Sequence, residues 1–307
     1  MRNAFAKEIV ACAERDAGVV LLVGDIGNRL FDPFQARFKE RFFNCGVAEA
    51  NMMSAAAGLA LGGFRPVVYT IAPFVTYRCY EQIKIDVCYN GAPVVIVGVG
   101  GGLGYAGLGP THHSLEDVAA LRVLPELDVV CPADSYEVAL ALRDALAAPR
   151  PVYLRIGKKG EPLVHESEPA HFKIGEAIVL RRGGDVALIG TGPILHEVLA
   201  AADLLKERGV ATTVVDLHTV KPLDAKVLRA VATSCKLLVT IEEHSIIGGT
   251  GSAVAEWMAD ENVSRRLLRL ATPDAFFHEA GDTEHARERL GLSAELIASR
   301  VMTLLSA

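Results

Sequence analysis

Aromatic residues are scarce in this sequence, at 6% of the chain with a single Trp. That scarcity removes the stacking surface on which single-stranded nucleic acid is held. No Lys/Arg run stands out and the formal net charge is −6, so there is no electrostatic case for a nucleic-acid partner. None of Cys12, Cys45, Cys79, Cys88, Cys131 and Cys235 forms a C-x-x-C pair. Each lies in an apolar or helical context, where a free thiol behaves as a small hydrophobe. They read as reduced thiols in a cytoplasmic protein. Long hydrophobic runs are missing too. The longest apolar stretch, 93–103, is glycine-rich and too short to span a bilayer. The N-terminus carries charges in its first turns instead of a signal peptide's apolar core. The expectation is a cytoplasmic chain with neither nucleic acid nor membrane as partner.

What is present is aliphatic and alternating. A length of 307 residues suits two domains, and 51% hydrophobic residues, mostly Ala, Val and Leu, suit the buried strands of α/β layers. Strands are predicted at 19–23, 42–44, 66–70, 93–98, 129–130 and 152–156, with helices at 3–15, 34–41, 48–61, 73–89, 114–122 and 135–147. The helix at 114–122 carries a Ser-x-x-Asp capping signal. Residues 157–172 are polar and hold two prolines. A second alternation follows, with strands at 186–190, 211–215 and 236–241 and helices at 193–208, 224–232, 250–260 and 293–305. The predicted fold is α/β, with two tandem parallel-sheet domains, helices on both faces and right-handed crossovers. Their bounds are 1–160 and 173–307, with a linker over 161–172.

Three stretches carry candidate chemistry. In Asn44-Cys45-Gly46-Val47-Ala48-Glu49-Ala50-Asn51-Met52, Glu49 opens an otherwise apolar helix. It is either a first-turn acid favoured by the helix dipole or a desolvated acid held against a ligand. In residues 73–82, Phe74, Tyr77 and Glu81 share one helical face with Tyr80 alongside; such a stripe is core, or a platform for a flat heterocycle. In residues 100–114, Gly100, Gly101, Gly102, Gly104, Gly107 and Gly109 make a loop after a buried strand, permitting close backbone approach. No Gly-Lys-Ser/Thr follows, so it is not a phosphate-binding loop of that type. Adjacent His112 and His113 point apart and make a poor metal pair. No metal site is expected on this chain. His112 is placed to reach a ligand beyond the strand ends, where open α/β sheets bind.

These stretches, in this order, resemble the thiamine-diphosphate transketolase family, which includes 1-deoxyxylulose-5-phosphate synthase. The resemblance rests on GVAEANM, PFVTYRCYEQ, GPTHHSLEDVAALRVLPELDVVCPAD and VVDLHTVKPLD…LLVTIEEHSIIGGTGSAVAE, and it covers nearly the whole chain. It implies a pyrimidine-binding domain followed by the transketolase C-terminal domain. Glu49 would hydrogen-bond N1′ of the cofactor's aminopyrimidine. Phe74, Tyr77 and Tyr80 would wall that ring, and Asp25, otherwise a strand-end turn residue, would lie near the thiazolium across a dimer interface. His112 would bond substrate oxygens. Lys158 stands where the family often has Arg for a substrate phosphate, with Arg155 nearby as a second candidate or a structural ion-pair partner. Glu242-Glu243-His244 and the following glycines resemble a ligand site at a strand end but belong to a domain that mainly builds the dimer.

The resemblance has departures. The family's metal-binding Gly-Asp-Gly…Asn segment has no counterpart here, and Gly24-Asp25-Ile26-Gly27-Asn28 mimics it only superficially. The expectation is a split enzyme. A partner subunit would carry the diphosphate and Mg²⁺, in an α2β2 assembly acting on sugars or sugar phosphates. The family's Asp before Gly-Pro-Thr-His is Leu108, and a further family His is Gly100, which redirects selectivity for hydroxylated substrates. Two-carbon ketol transfer is the leading expectation. Decarboxylative acyl transfer, a 2-oxoacid dehydrogenase β chain and a non-catalytic scaffold are the alternatives; the Gly-Pro-Thr-His loop and the intact Glu49 and His112 favour the first.

Overall fold

Every residue of Val19–Val23, Val95–Val99, Val152–Ile156 and Val186–Thr191 is buried. Strands covered on both faces need that aliphatic run. The computed structural model describes residues 1–306. Its strands are β1 (Val19–Val23), β2 (Phe42–Asn44), β3 (Arg65–Ile71), β4 (Val95–Val99), β5 (Asp128–Val130), β6 (Val152–Ile156), β7 (Ile178–Arg181), β8 (Val186–Thr191), β9 (Thr212–Asp216), β10 (Thr219–Lys221), β11 (Leu237–Ser245) and β12 (Arg266–Thr272). They form a seven-stranded sheet, order β10-β5-β6-β4-β3-β1-β2, and a five-stranded sheet, order β12-β11-β8-β9-β7. All pairings are parallel except β10 against β5 and β7 against β9.

The period of two along β1 sorts its side chains between two cores. Val20 and Leu22 meet Met52, Met53 and Ala56 of the helix Glu49–Leu61. Val19, Leu21 and Val23 join the core that holds Phe5 and Ile9 of the helix Arg2–Arg15. The second sheet is likewise covered on both faces. The doubly covered α/β architecture is the one the alternation predicts.

Several elements differ from the sequence reading. The helix predicted over 73–89 is broken into Ala72–Thr76, Tyr80–Gln82 and a π-helical stretch Ile83–Tyr89. The break lets Phe74 and Tyr80 face different surroundings. The helix predicted from Ser114 begins at Asp117, because Ser114 exchanges both backbone hydrogen bonds with Gly102, at 3.0 and 3.1 Å. Strand β11 continues through Glu242, Glu243 and His244, so these three lie within the strand and not beyond it.

The first sheet is not closed by residues 1–160 alone, since its edge strand β10 comes from the second half of the chain. The segment read as a linker is also held down. Asp134 Oδ2 accepts the backbone N–H of Val164 and of His165, both at 3.0 Å, and Phe172 stacks on His218 with ring centroids 4.3 Å apart. Across the junction, Glu243 Oε2 accepts from Leu103 N at 3.3 Å, and His244 Nε2 accepts from Ala119 N at 3.2 Å. Among the described residues, no helix is long and apolar enough to cross a membrane.

Candidate active site

Four neighbouring strands of the first sheet, in the order β6-β4-β3-β1, deliver the candidate residues at their carboxyl ends. Lys158 follows β6, the glycine loop follows β4, Phe74 follows β3, and Asp25 follows β1. A parallel sheet ends all its strands on one edge, which is where ligands of open α/β folds sit.

Glu49 is the first residue of its helix and only 3% exposed. The helix N-terminus favours its negative charge, and Gly24 allows the close approach: a Cβ there would stand 3.0 Å from Thr70 Oγ1 and 3.4 Å from Glu49 Cγ. Both Glu49 oxygens accept from Arg78 Nη1 at 3.2 Å. The Arg78 guanidinium also lies over the Phe74 ring, 4.0 Å from its centroid. A planar group that stacks on Phe74 while donating to Glu49 makes the two contacts an aminopyrimidine needs. The residues therefore fit the heterocycle of thiamine diphosphate. Arg78 does not stand out in the sequence; its position four residues after Phe74 is the available signal.

His112 sits beside this pair. Its ring is 5.3 Å from that of Phe74 and 5.8 Å from that of Tyr105, and its Nδ1 is 2.9 Å from Thr111 Oγ1. Burial pulls its pKa below the ordinary histidine value, and the neighbouring His113, Lys158 and Arg78 add to the effect. A neutral imidazole can accept from or donate to a substrate oxygen. His113 turns away, its Nε2 lying 3.0 Å from Ala106 O in the buried interior.

Tyr105 is a second residue that sequence reasoning misses. Gly100 has φ +74°, and a Cβ there would meet Tyr105 Cε2 at 2.1 Å. Gly100 therefore does more than omit a hydrogen-bonding side chain: it makes room for the Tyr105 ring. Lys158 Nζ lies over that ring, 4.3 Å from its centroid. Leu108 is 54% exposed on the same loop.

Other candidates are placed differently. Arg155 is 3% exposed; its Nε donates to Asp117 Oδ2 at 2.8 Å, and its Nη2 donates to the carbonyls of Ser114 and Glu243 at 2.7 and 2.8 Å. Of the two readings of Arg155, the geometry favours the ion-pair partner: its buried ion pair with Asp117 lies within the first domain, and its bond to the Glu243 carbonyl reaches the second. Tyr77 directs its hydroxyl to Glu116 Oε2 at 2.9 Å, and Tyr80 is packed against the core under the sheet, so Phe74 alone forms the stack with Arg78. Asp25 is exposed, in a left-handed conformation (φ 51°), and exchanges two hydrogen bonds of 3.2 Å with Asn44 at the end of β2. Glu242 caps the helix Thr250–Asp260 through Thr250 N and Gly251 N, at 2.7 and 2.8 Å, a structural task.

A two-domain α/β chain with a buried acid beside a stacking ring at the sheet's carboxyl edge is suited to hold a planar heterocycle. The comparisons give the family. Residues 1–161 match the transketolase pyrimidine-binding domain and residues 175–297 the transketolase C-terminal domain. The chain belongs to the transketolase family. It is 33% identical over 305 residues to an apulose-4-phosphate transketolase subunit from Actinobacillus succinogenes, covering 99% of this chain and 98% of the relative. It is 36% identical over 299 residues to the 6-deoxy-6-sulfo-D-fructose transketolase subunit of a Clostridium species, covering 97% and 92%. A solved structure described as a split-gene transketolase, inactive β4 tetramer, superposes with a TM-score of 0.89 at 34% identity, covering 99% of this chain and 97% of that one. The chain is a subunit of a thiamine-diphosphate-dependent transketolase, a transferase.

Proposed function

We propose that this subunit transfers a two-carbon ketol unit from a ketose to an aldehyde when joined to a partner subunit that holds the diphosphate and Mg²⁺. The observation that carries the reading is the buried carboxylate of Glu49 facing a planar group stacked on Phe74. When bound, thiamine diphosphate supplies the electron sink for breaking and forming the bond beside a ketose carbonyl. Glu49 holds a proton at N1′ of the aminopyrimidine, replacing its bond to Arg78, and Phe74 fixes the ring plane. Asp25, beyond β1, would border the thiazolium of a cofactor bound across a dimer interface. His112, kept neutral, orients substrate oxygens. Lys158 and Tyr105 line the side where the substrate's far end lies. The two curated relatives act on a sugar phosphate and a sugar sulfonate by name, and an ammonium at Lys158 suits the anionic end of either.

These two relatives, covered over nearly their full length, are named as subunits, which supports a partner chain. The exposed apolar side chains of Phe43, Val47, Ile85 and Tyr89 support further association. Together they favour an α2β2 assembly.

The test is an assay of the chain with and without its partner subunit, using phosphorylated ketose donors, thiamine diphosphate and Mg²⁺. Turnover is expected only from the pair, and Glu49→Ala should lower it about 10²–10⁴-fold. A Glu49→Ala pair with undiminished turnover overturns the role of Glu49, and full activity of this chain alone overturns the division between subunits.

A further inference from the structure

Away from this edge, Glu137, His165 and Asp216 converge from three elements: the helix Ser135–Ala147, the segment after β6, and the last residue of β9. One ligand atom from each lies within 4.8 Å of the other two. His165 Nε2 is 2.5 Å from Glu137 Oε1 and 4.0 Å from Asp216 Oδ2. Glu137 and Asp216 are both fully buried, at 0% exposure.

The hydrogen bonding is unequal in a telling way. Asp134, next door, is saturated: Oδ1 accepts from Tyr136 N and Glu137 N, and Oδ2 from Val164 N and His165 N. Glu137 Oε2 accepts from Ala133 N at 2.8 Å, leaving Oε1 to face the imidazole. Among the described residues, neither Asp216 oxygen accepts from an N–H or a hydroxyl. Close by, the fully buried His218 has a free Nε2, while its Nδ1 is 2.9 Å from Thr219 Oγ1 and Phe172 stacks on its ring. Burial and the neighbouring Glu137 push the Asp216 carboxyl well above the usual carboxylate range, so this pair must either share a proton or be met by a cation in the gap.

We propose that Glu137, His165 and Asp216 bind a divalent transition-metal ion of the zinc class at the domain junction. One imidazole and two carboxylates are a donor set such ions accept. The neighbouring bonds act as an outer shell: Ala133 N orients Glu137, and Asp134 fixes the backbone of His165. A metal here clamps the inter-domain segment between the first domain's helix and the second domain's sheet. The site is independent of the transketolase chemistry and of any ion held by a partner subunit.

The test uses this full chain alone, stripped with chelator and titrated with Co²⁺ while visible absorption and bound metal are measured. About one equivalent is expected, with d–d bands of a four- or five-coordinate N/O site, competed away by Zn²⁺, and a rise in Tm on binding. His165→Ala and the near-isosteric Asp216→Asn should each weaken binding about 10-fold or more. Failure of the wild-type chain to take up Co²⁺ or Zn²⁺ overturns the proposal and assigns the gap to a proton shared by the two carboxyls. Uptake unchanged in both variants overturns it too. The wild-type stoichiometry and Tm shift stand even if a variant misfolds, and cofactor-dependent turnover plays no part in either readout.

Discussion

At the scale of single residues, the closest steric coupling in the site is between Gly100 and Tyr105. With φ at +74° and a Cβ position 2.1 Å from the Tyr105 ring, Gly100→Ala meets both backbone strain and a clash. It should cost about 1–3 kcal/mol in denaturant unfolding. Most of the clash vanishes once Tyr105→Ala removes the ring, so the double variant should be less destabilised than the sum of the singles. Strict additivity in that cycle would show that the ring does not rest on Gly100. The site is half legible at this scale. Glu49, Phe74 and His112 stand out by type and setting. Tyr105 and Arg78 do not, because their importance is a matter of which ring or carboxylate they touch.

At the scale of elements, β6 and the turn after it separate two cations three residues apart. Arg155 ends inside the protein on Asp117. Burial pushes the Asp117 pKa up, but Arg155 and the groups around it outweigh that effect and hold it below the usual carboxylate value. Lys158 ends on Tyr105, near His112. Arg155→Met should therefore lose about 3–5 kcal/mol of stability by stranding Asp117, with thermal unfolding as the measure. Lys158→Met should leave stability within about 0.5 kcal/mol and raise KM for phosphorylated donors. A raised KM in a fully stable Arg155→Met would reverse the two roles. In the sequence the two look equivalent, since burial is set by the packing of the second domain. Similar reasons hide other elements. β10 is three residues whose pairing lies in the other half's sheet. β12 reads Arg-Leu-Leu-Arg-Leu-Ala-Thr, an edge strand with charges facing out. The long aliphatic strands are readable because their own composition demands burial on both faces.

At the scale of the whole molecule, the two halves share more than a hinge. β10 adds the second half's chain to the first sheet, and Lys221 at its end donates from Nζ to the carbonyls of Arg122, at 3.1 Å, and Leu124. Burial lowers the Lys221 pKa, yet the ammonium still satisfies two carbonyls. The chain should thus unfold in one calorimetric transition. Lys221→Met, which leaves those carbonyls unpaired at about 1–3 kcal/mol, should lower Tm and begin to split the transition. Two well-separated transitions in the unmodified chain would mean that the halves fold independently. Because residues 161–172 are pinned through Asp134, the composition that suggests a loose linker is misleading: polar residues and prolines describe a segment without regular structure, whether or not it is anchored.

The Gly100–Tyr105 contact also sets the order in which this loop can be rebuilt. A loop bearing a side chain at position 100 has no space for the present ring, whereas a loop with glycine there accepts either a small residue or tyrosine at 105. Installing a side chain at position 100 of this chain therefore requires a smaller residue at 105 first. With Tyr105 seated over the gap beneath Lys158, a single Gly100→His change would set the new side chain against the ring, whereas the double change with Tyr105→Ala removes that clash.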